Sequence, residues 1–99
     1  MRDNPAYQDI LVAIHTGNRF QTAWYGFGSF FRESHSFSDI DLLAVCADVE
    51  GASAIRQEMA TVCNEWPIHL LIMTEAEAEE TNFIQSQQCI PLLKAESQR

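Results

Sequence analysis

Positive charge is scarce in this chain. Only 6 of its 99 residues are lysine or arginine, against 14 aspartates and glutamates, so the formal net charge is −8. Because a field of that sign repels a long polyanion, we do not expect DNA or RNA to be a main partner. A nucleotide chelated by Mg²⁺ presents less negative charge and remains compatible with this composition.

Long apolar runs and paired cysteines are also missing. No apolar stretch approaches the roughly twenty residues of a membrane span, and residues 1–9 lack the apolar core of a signal peptide. Cys46, Cys63 and Cys89 are dispersed, without a Cys-x-x-Cys pair, which is typical of reduced intracellular thiols. We therefore expect a cytoplasmic protein without a membrane partner, whose cysteines act as small buried hydrophobes. The spacings of cysteine and histidine do not support a zinc site.

The pattern of apolar residues predicts one small α/β domain. A hydrophobic fraction of 46% is enough for a modest core. The pattern predicts strands over 22–27, 39–46, 68–73 and 89–93, and helices over 4–17, over 52–66 and after Thr74. We expect a small mixed sheet of three or four strands, with helices packed on one face and the site open on the other. Residues 1–93 would form the domain, and 94–99 a polar C-terminal tail.

Two of these elements carry more detailed predictions. Strand 68–73 is nearly all apolar, which predicts that it is buried. Thr74 followed by Glu77 has the spacing of a capping box, which predicts that a helix begins directly after Thr74.

Two aspartates open the second predicted strand. Asp39 and Asp41 stand at positions i and i+2, and this spacing directs both side chains to one face of a strand. Ile40 and Leu42 then take the opposite face and can pack on a core. Two neighbouring carboxylates repel each other unless a cation lies between them. The simplest candidate is Mg²⁺, which prefers oxygen ligands.

Upstream of these acids, Gly28 and Ser29 form a predicted turn at the end of the first strand. The backbone N–H groups of this turn and the Ser29 hydroxyl offer hydrogen bonds to a phosphate. Metal-binding acids that face a phosphate-binding turn suggest phosphoryl or nucleotidyl transfer.

This combination resembles the signature of the polymerase β-like nucleotidyltransferase superfamily, in its minimal bacterial (MNT) form. That family shows a hydrophobic residue, Gly-Ser, a spacer, and then Asp-hydrophobic-Asp. Here the signature reads Phe27-Gly28-Ser29, nine residues, and Asp39-Ile40-Asp41. Arg32 falls where many members carry a basic residue, and Ser38 precedes the first acid, as is frequent in the family. The order of elements around the signature fits most of the chain.

The resemblance implies transfer of a nucleoside monophosphate from Mg-NTP to a hydroxyl acceptor on a small molecule or a protein. It implies that Asp39 and Asp41 bind Mg²⁺. It assigns nucleotide binding to Gly28, Ser29, Arg32 and Ser38. The chain has no room for the helical domain that usually completes the nucleotide pocket. The resemblance therefore implies a partner, either a separately encoded helical HEPN-type protein or a second copy of this chain.

The chain departs from the family at the third acid. The family carries a third carboxylate on the strand after the helix, and the order of elements gives that position to His69. A neutral imidazole can act as a general base near pH 7, but it binds Mg²⁺ less well than a carboxylate does.

Several interpretations therefore remain open. In the first, the protein is an active nucleotidyltransferase in which His69 is the base. In the second, it is a catalytically impaired nucleotide-binding or antitoxin-like regulatory module paired with a helical partner. An error in the predicted strand register would also explain the missing acid. A chance motif in an adaptor protein would leave Asp39 and Asp41 far from Ser29 or on different faces.

Overall fold

The computed structural model describes residues 5–17, 22–32 and 39–93. It is an α/β fold with a four-stranded mixed sheet and helices packed around it, as the sequence predicts. The elements are α1 (Pro5–Gly17), β1 (Ala23–Phe27), α2 (Ser29–Arg32), β2 (Ile40–Cys46), α3 (Val49–Glu58), α4 (Ala60–Glu65), β3 (Ile68–Thr74), α5 (Glu75–Thr81), α6 (Phe83–Ser86) and β4 (Ile90–Leu93). None of the helices described is long and apolar enough to cross a membrane. The predicted tail, 94–99, lies outside the described residues.

The strand order in the sheet is β3-β2-β1-β4. β1 runs antiparallel to both β2 and β4, whereas β2 and β3 are parallel. A parallel pair needs a crossover connection, and α3 with α4 provides it. β4 lies at one edge of the sheet, where Pro91 is tolerated because an edge strand does not need every N–H group for pairing.

The larger part of the core lies between one face of the sheet and the helices α1, α3 and α4. Ile40, Leu42 and Ala44 of β2 point to this face and are completely buried. They pack with apolar residues of the three helices, namely Ala6, Ile10, Ile14, Ile55, Met59 and Val62. This alternation along β2 directs the intervening residues to the opposite face.

A smaller apolar cluster covers part of that opposite face. Leu43 and Val45 of β2 pack there against Ala78 of α5, and Phe83 and Ile84 of α6 join the cluster. The sequence analysis expected helices on one face only. The structure adds this second, thinner layer because α5 and α6 return across the sheet after β3.

The prediction that strand 68–73 is buried was wrong. β3 is the second edge of the sheet, and none of its residues reaches full burial. β2, with a neighbour on each side, is the strand that the core encloses. An apolar run identifies a strand, but it does not reveal which strand receives a neighbour on both sides.

The helix predicted over 52–66 is divided into α3 and α4. It begins at Val49, because Asp48 acts as the N-cap and its side chain accepts a hydrogen bond of 3.1 Å from the Gly51 N–H. Met59 has φ −95° and ψ 0°, which interrupts the helix between its two parts. The Met59 side chain is 1% exposed and joins the core.

The capping box at Thr74 is confirmed. The Thr74 side-chain oxygen accepts a hydrogen bond from the Glu77 N–H at 3.2 Å, and Glu77 Oε1 accepts one from the Thr74 N–H at 2.9 Å. These two bonds satisfy N–H groups that the first turn of α5 leaves without a helical partner.

We predict that Thr74→Ala lowers the free energy of unfolding by about 1 kcal/mol, because the α5 cap loses its acceptor. Thr74→Ser keeps the hydroxyl, so its free energy of unfolding should fall much less. Urea unfolding of the two variants measures this difference. Equal losses would contradict a role for the side-chain hydrogen bond.

Candidate functional site

The candidate site forms around Asp41, on the face of the sheet opposite the larger core. Asp41 pairs with Phe27 of β1 on one side and with His69 of β3 on the other. Residues paired across neighbouring strands share a face, so these three side chains form a row across the sheet. The Asp41 side chain is 25% exposed and that of His69 is 75% exposed, so the row opens to solvent on the His69 side.

His69 lies beside the Asp41 carboxylate. The distance from His69 Nδ1 to Asp41 Oδ1 is 3.4 Å. The two strands run parallel in register, which brings these residues together although 28 positions separate them. His69 thus lies beside one of the two aspartates of the motif.

Gly28 lies directly against the same carboxylate. A Cβ atom built on Gly28 would overlap Asp41 Oδ2, and the backbone φ of Gly28 is +83°. Both observations favour glycine, which has no Cβ and adopts positive φ without strain. The Gly28 carbonyl then accepts a hydrogen bond from the Phe31 N–H at 3.3 Å, where the chain turns into α2.

Three further predicted site residues lie at or next to the ends of β2 and α2. Asp39 directly precedes β2 and is exposed to solvent. Ser29 and Arg32 are the first and last residues of α2, so the backbone of Ser29 follows Gly28 at the turn. Ser38 lies outside the described residues.

The neighbouring Gly26 explains why α2 packs so close to β1. A Cβ on Gly26 would come within 2.5–2.6 Å of ring atoms of Phe31. The Phe31 ring therefore lies directly on the strand backbone, and Phe30 beside it is completely buried. Their rings meet edge to face, with centroids 4.9 Å apart. These contacts hold α2, and with it the turn at Gly28, against the core.

An aromatic pair that the sequence analysis did not associate with the site flanks Asp41. The rings of Phe27 and Phe83 meet at an interplanar angle of 85°, with centroids 5.2 Å apart. The place of Phe83 beside Phe27 depends on the break after α5, where Asn82 adopts a left-handed conformation with φ 54°. No spacing in the sequence signals this contact.

The donor set fits Mg²⁺ better than it fits a thiophilic metal. Asp39 and Asp41 supply carboxylate oxygens, and Mg²⁺ in nucleotide sites uses one or two carboxylates together with substrate phosphates. Within residues 5–17, 22–32 and 39–93, no group of three or more histidines, cysteines or acids is arranged to hold a metal. A protein-only cage for the ion is therefore absent from the described part of the chain.

Cys46 lies at the opposite end of β2 from Asp41. Cys46 is buried, and its thiol donates to the carbonyl of Asp48 at 3.2 Å and to that of Met73 at 3.5 Å. Burial raises the pKa of the Cys46 thiol, and it also raises the pKa of Cys63. Because metals bind the thiolate, this shift disfavours both residues as ligands.

No protein-family model matches this chain, and neither the curated proteins nor the solved structures contain a significant match. The resemblance to nucleotidyltransferases therefore rests on the motif residues themselves.

We predict that Gly28→Ala destabilises the protein by about 1–3 kcal/mol, because alanine is strained at this φ and its Cβ would displace the Asp41 carboxylate. Gly51→Ala is the matched control. Its Cβ would meet Cys46 Cβ at an ordinary 3.4 Å, within α3. It should be neutral or stabilising by about 0.4–1 kcal/mol.

A double-mutant cycle separates the backbone strain of alanine at position 28 from the steric overlap of its Cβ with the Asp41 carboxylate. If the carboxylate is the obstacle, Gly28→Ala should cost less in a protein that also carries Asp41→Ala, as measured by urea unfolding. Strictly additive losses would show that Asp41 and Gly28 do not interact.

Proposed function

We propose that this chain is a minimal nucleotidyltransferase-like protein, which transfers a nucleoside monophosphate from Mg-NTP to a hydroxyl acceptor. The observation that carries the proposal is the contact of the Asp41 carboxylate with Gly28, at the turn that leads to Ser29. The antiparallel pairing of Phe27 with Asp41 brings these two parts of the motif together, although nine residues separate Ser29 from Asp39.

The nucleotide would bind with its phosphates at the Gly28–Ser29 turn. Arg32 and Ser38 are further candidates for phosphate contact, on the resemblance alone. Glycine permits close approach of a ligand to the backbone, and the N–H groups of the turn are suitable donors. Asp39 and Asp41 would hold Mg²⁺, which when bound neutralises charge on the phosphates.

The reaction requires a base for the attacking hydroxyl. Its oxygen forms a bond to the α-phosphorus while the bond to the β-phosphate oxygen breaks, and pyrophosphate leaves. The hydroxyl proton must be accepted, and His69 is the candidate because its Nδ1 lies 3.4 Å from Asp41 Oδ1. A carboxylate that accepts from an imidazole N–H orients the ring and stabilises the protonated form that results.

One observation favours a second candidate, a catalytically impaired nucleotide-binding or antitoxin-like module. The His69 side chain is 75% exposed, and the position otherwise held by an acid has no negative charge of its own. Solvent weakens electrostatic stabilisation of a transition state. Such a module would bind Mg-NTP without turning it over.

Either function requires a surface that completes the nucleotide pocket. The resemblance implies that a helical domain usually completes the nucleotide pocket in this family. We propose a helical partner protein of the HEPN type, or a second copy of this chain, in the cytoplasm, where nucleotides and Mg²⁺ are available.

We predict that a nucleoside triphosphate with Mg²⁺ stabilises the protein and that Asp41→Asn abolishes the effect. At about 100 times the Kd, binding adds about 2.7 kcal/mol to the free energy of unfolding. For a domain of this size, each kcal/mol raises Tm by about 4–8 °C. Thermal unfolding with each of the common nucleotides, with and without Mg²⁺, measures the shift.

Asp48→Asn is the matched control for this experiment. It removes the same charge, and asparagine caps a helix about as well as aspartate does. Its Tm shift with Mg-NTP should equal that of the unchanged protein. If no nucleotide raises Tm in the presence of Mg²⁺, both functions proposed here are refuted.

His69 distinguishes the active enzyme from the impaired module. If His69 is the base, His69→Ala should lower transfer by about 10²–10⁴-fold while Mg-NTP binding persists. If the site is impaired by the lack of a third acid, His69→Asp should instead create or raise activity. Transfer of label from α-labelled nucleotide to a co-expressed partner, or release of pyrophosphate, measures both variants.

A further inference from the structure

A groove runs along the outer side of the helical layer, between α1 and the α3–α4 pair. We call it the α1–α4 groove. From α1 it is lined by Asp9, Val12 and Ala13. From the other side it is lined by Glu58, Thr61, Val62 and Glu65. Both sets have the three- and four-residue spacing of a single helical stripe, so the groove follows the two helices. Its volume is about 330 Å³.

The floor of the α1–α4 groove is apolar and partly open to solvent. Val12 is 64% exposed, one of few large hydrophobic residues with so much exposed surface in the described part of the chain. Ala13 is half-buried beside it, and Val62 closes the floor from α4. An occupant that brings aliphatic side chains would remove this surface from water, at about 25 cal/mol for each Å² buried.

The rim of the groove is acidic. Asp9 and Glu65 contribute two exposed carboxylates, and the lining residues of the described chain include no lysine, arginine or histidine. The Asp9 carboxylate is held in place, because its Oδ2 accepts a hydrogen bond of 2.9 Å from the Trp66 indole N–H. The groove therefore places acidic side chains, one of them held by Trp66, beside an apolar floor.

We propose that the α1–α4 groove docks a cationic amphipathic helix of a partner protein. Apolar residues at i, i+3 and i+4 of such a helix would fill the floor, and lysine or arginine side chains beside them would reach the rim. Two helices that lie side by side offer a third helix a groove of the right shape. Charge complementarity favours an occupant of positive charge and raises its association rate.

The same charges argue against a second copy of this chain as the occupant. A symmetric dimer through the groove would bring two acidic rims together, in a protein whose net charge is already −8. Like charges that face each other across an interface are costly.

This docking site is separate from the proposed nucleotide site. The groove lies on the helical layer that packs against Ile40, Leu42 and Ala44, whereas Asp41 points to the other face of the sheet. Variants of the groove should therefore leave Mg-NTP stabilisation unchanged, and Asp41→Asn should leave docking unchanged.

Fluorescence anisotropy with a labelled leucine–lysine amphipathic helix as the probe tests the proposal. We expect Val12→Asp to weaken binding by about tenfold or more and Glu65→Lys by about three- to tenfold. Val12 is exposed on the surface of α1, so its replacement should leave the fold intact, and thermal unfolding of each variant checks this. Raising the salt concentration should weaken binding.

Matched controls lie elsewhere on the surface. Val49→Asp alters a valine that is 76% exposed on α3, and Glu79→Lys reverses a charge on α5. Both should change the Kd by less than about twofold. A leucine–lysine peptide of scrambled order and a leucine–glutamate helix should bind at least about tenfold more weakly than the probe.

Three results would overturn the proposal. The first is no binding of the probe at all. The second is equal weakening by the groove variants and the control variants, or equal binding of the scrambled peptide, which would indicate diffuse attraction to an acidic surface. The third is a dimer in solution that Val12→Asp converts to a monomer, which would make the groove an interface between copies of this chain.

Discussion

Burial of β2 on both of its faces is the constraint on which the rest of this structure depends. Ile40, Leu42 and Ala44 bind the layer of α1, α3 and α4, while Leu43 and Val45 contact the smaller layer of α5 and α6. Because every second residue must point to the same side, the larger core determines where Asp41 points. A shift of one residue would bury that carboxylate among the helices. The core thus selects the register that presents Asp41 beside β1 and β3.

Asp41 combines a partly buried charge with close neighbours on both adjacent strands. A half-buried carboxylate lies against Gly28, whose φ is positive, and close to an imidazole on an edge strand. Partly buried charges are among the features that concentrate at functional sites. The proposed nucleotide site is one physical account of this combination. The edge position of β3 also explains why His69 remains exposed to solvent.

The two proposed sites lie on opposite sides of the sheet, and the positive charge that would neutralise their acids comes from different sources. At Asp41 the acids would be neutralised by a cation that accompanies an anionic ligand. Along the α1–α4 groove the acids would meet positive charges that belong to the partner itself. A small, strongly acidic domain can carry both kinds of site, because charges on its separate surfaces are partly screened from each other at physiological ionic strength. Such an arrangement would allow nucleotide and partner to bind at the same time.

The sequence by itself determined the local features: the four strands, the α/β class, the capping box at Thr74 and the alternation that directs Asp41 away from Ile40. These follow from side-chain period and from hydrogen bonds between near neighbours. Only the tertiary structure decided that β3 lies at an edge, that Phe83 packs on Phe27, and that Val12 and Glu65 line one groove. It also brought Gly28, Asp41 and His69 together. Such outcomes depend on which strands become neighbours and how separate helices pack. These long-range contacts do not produce a periodic pattern of residues in the sequence.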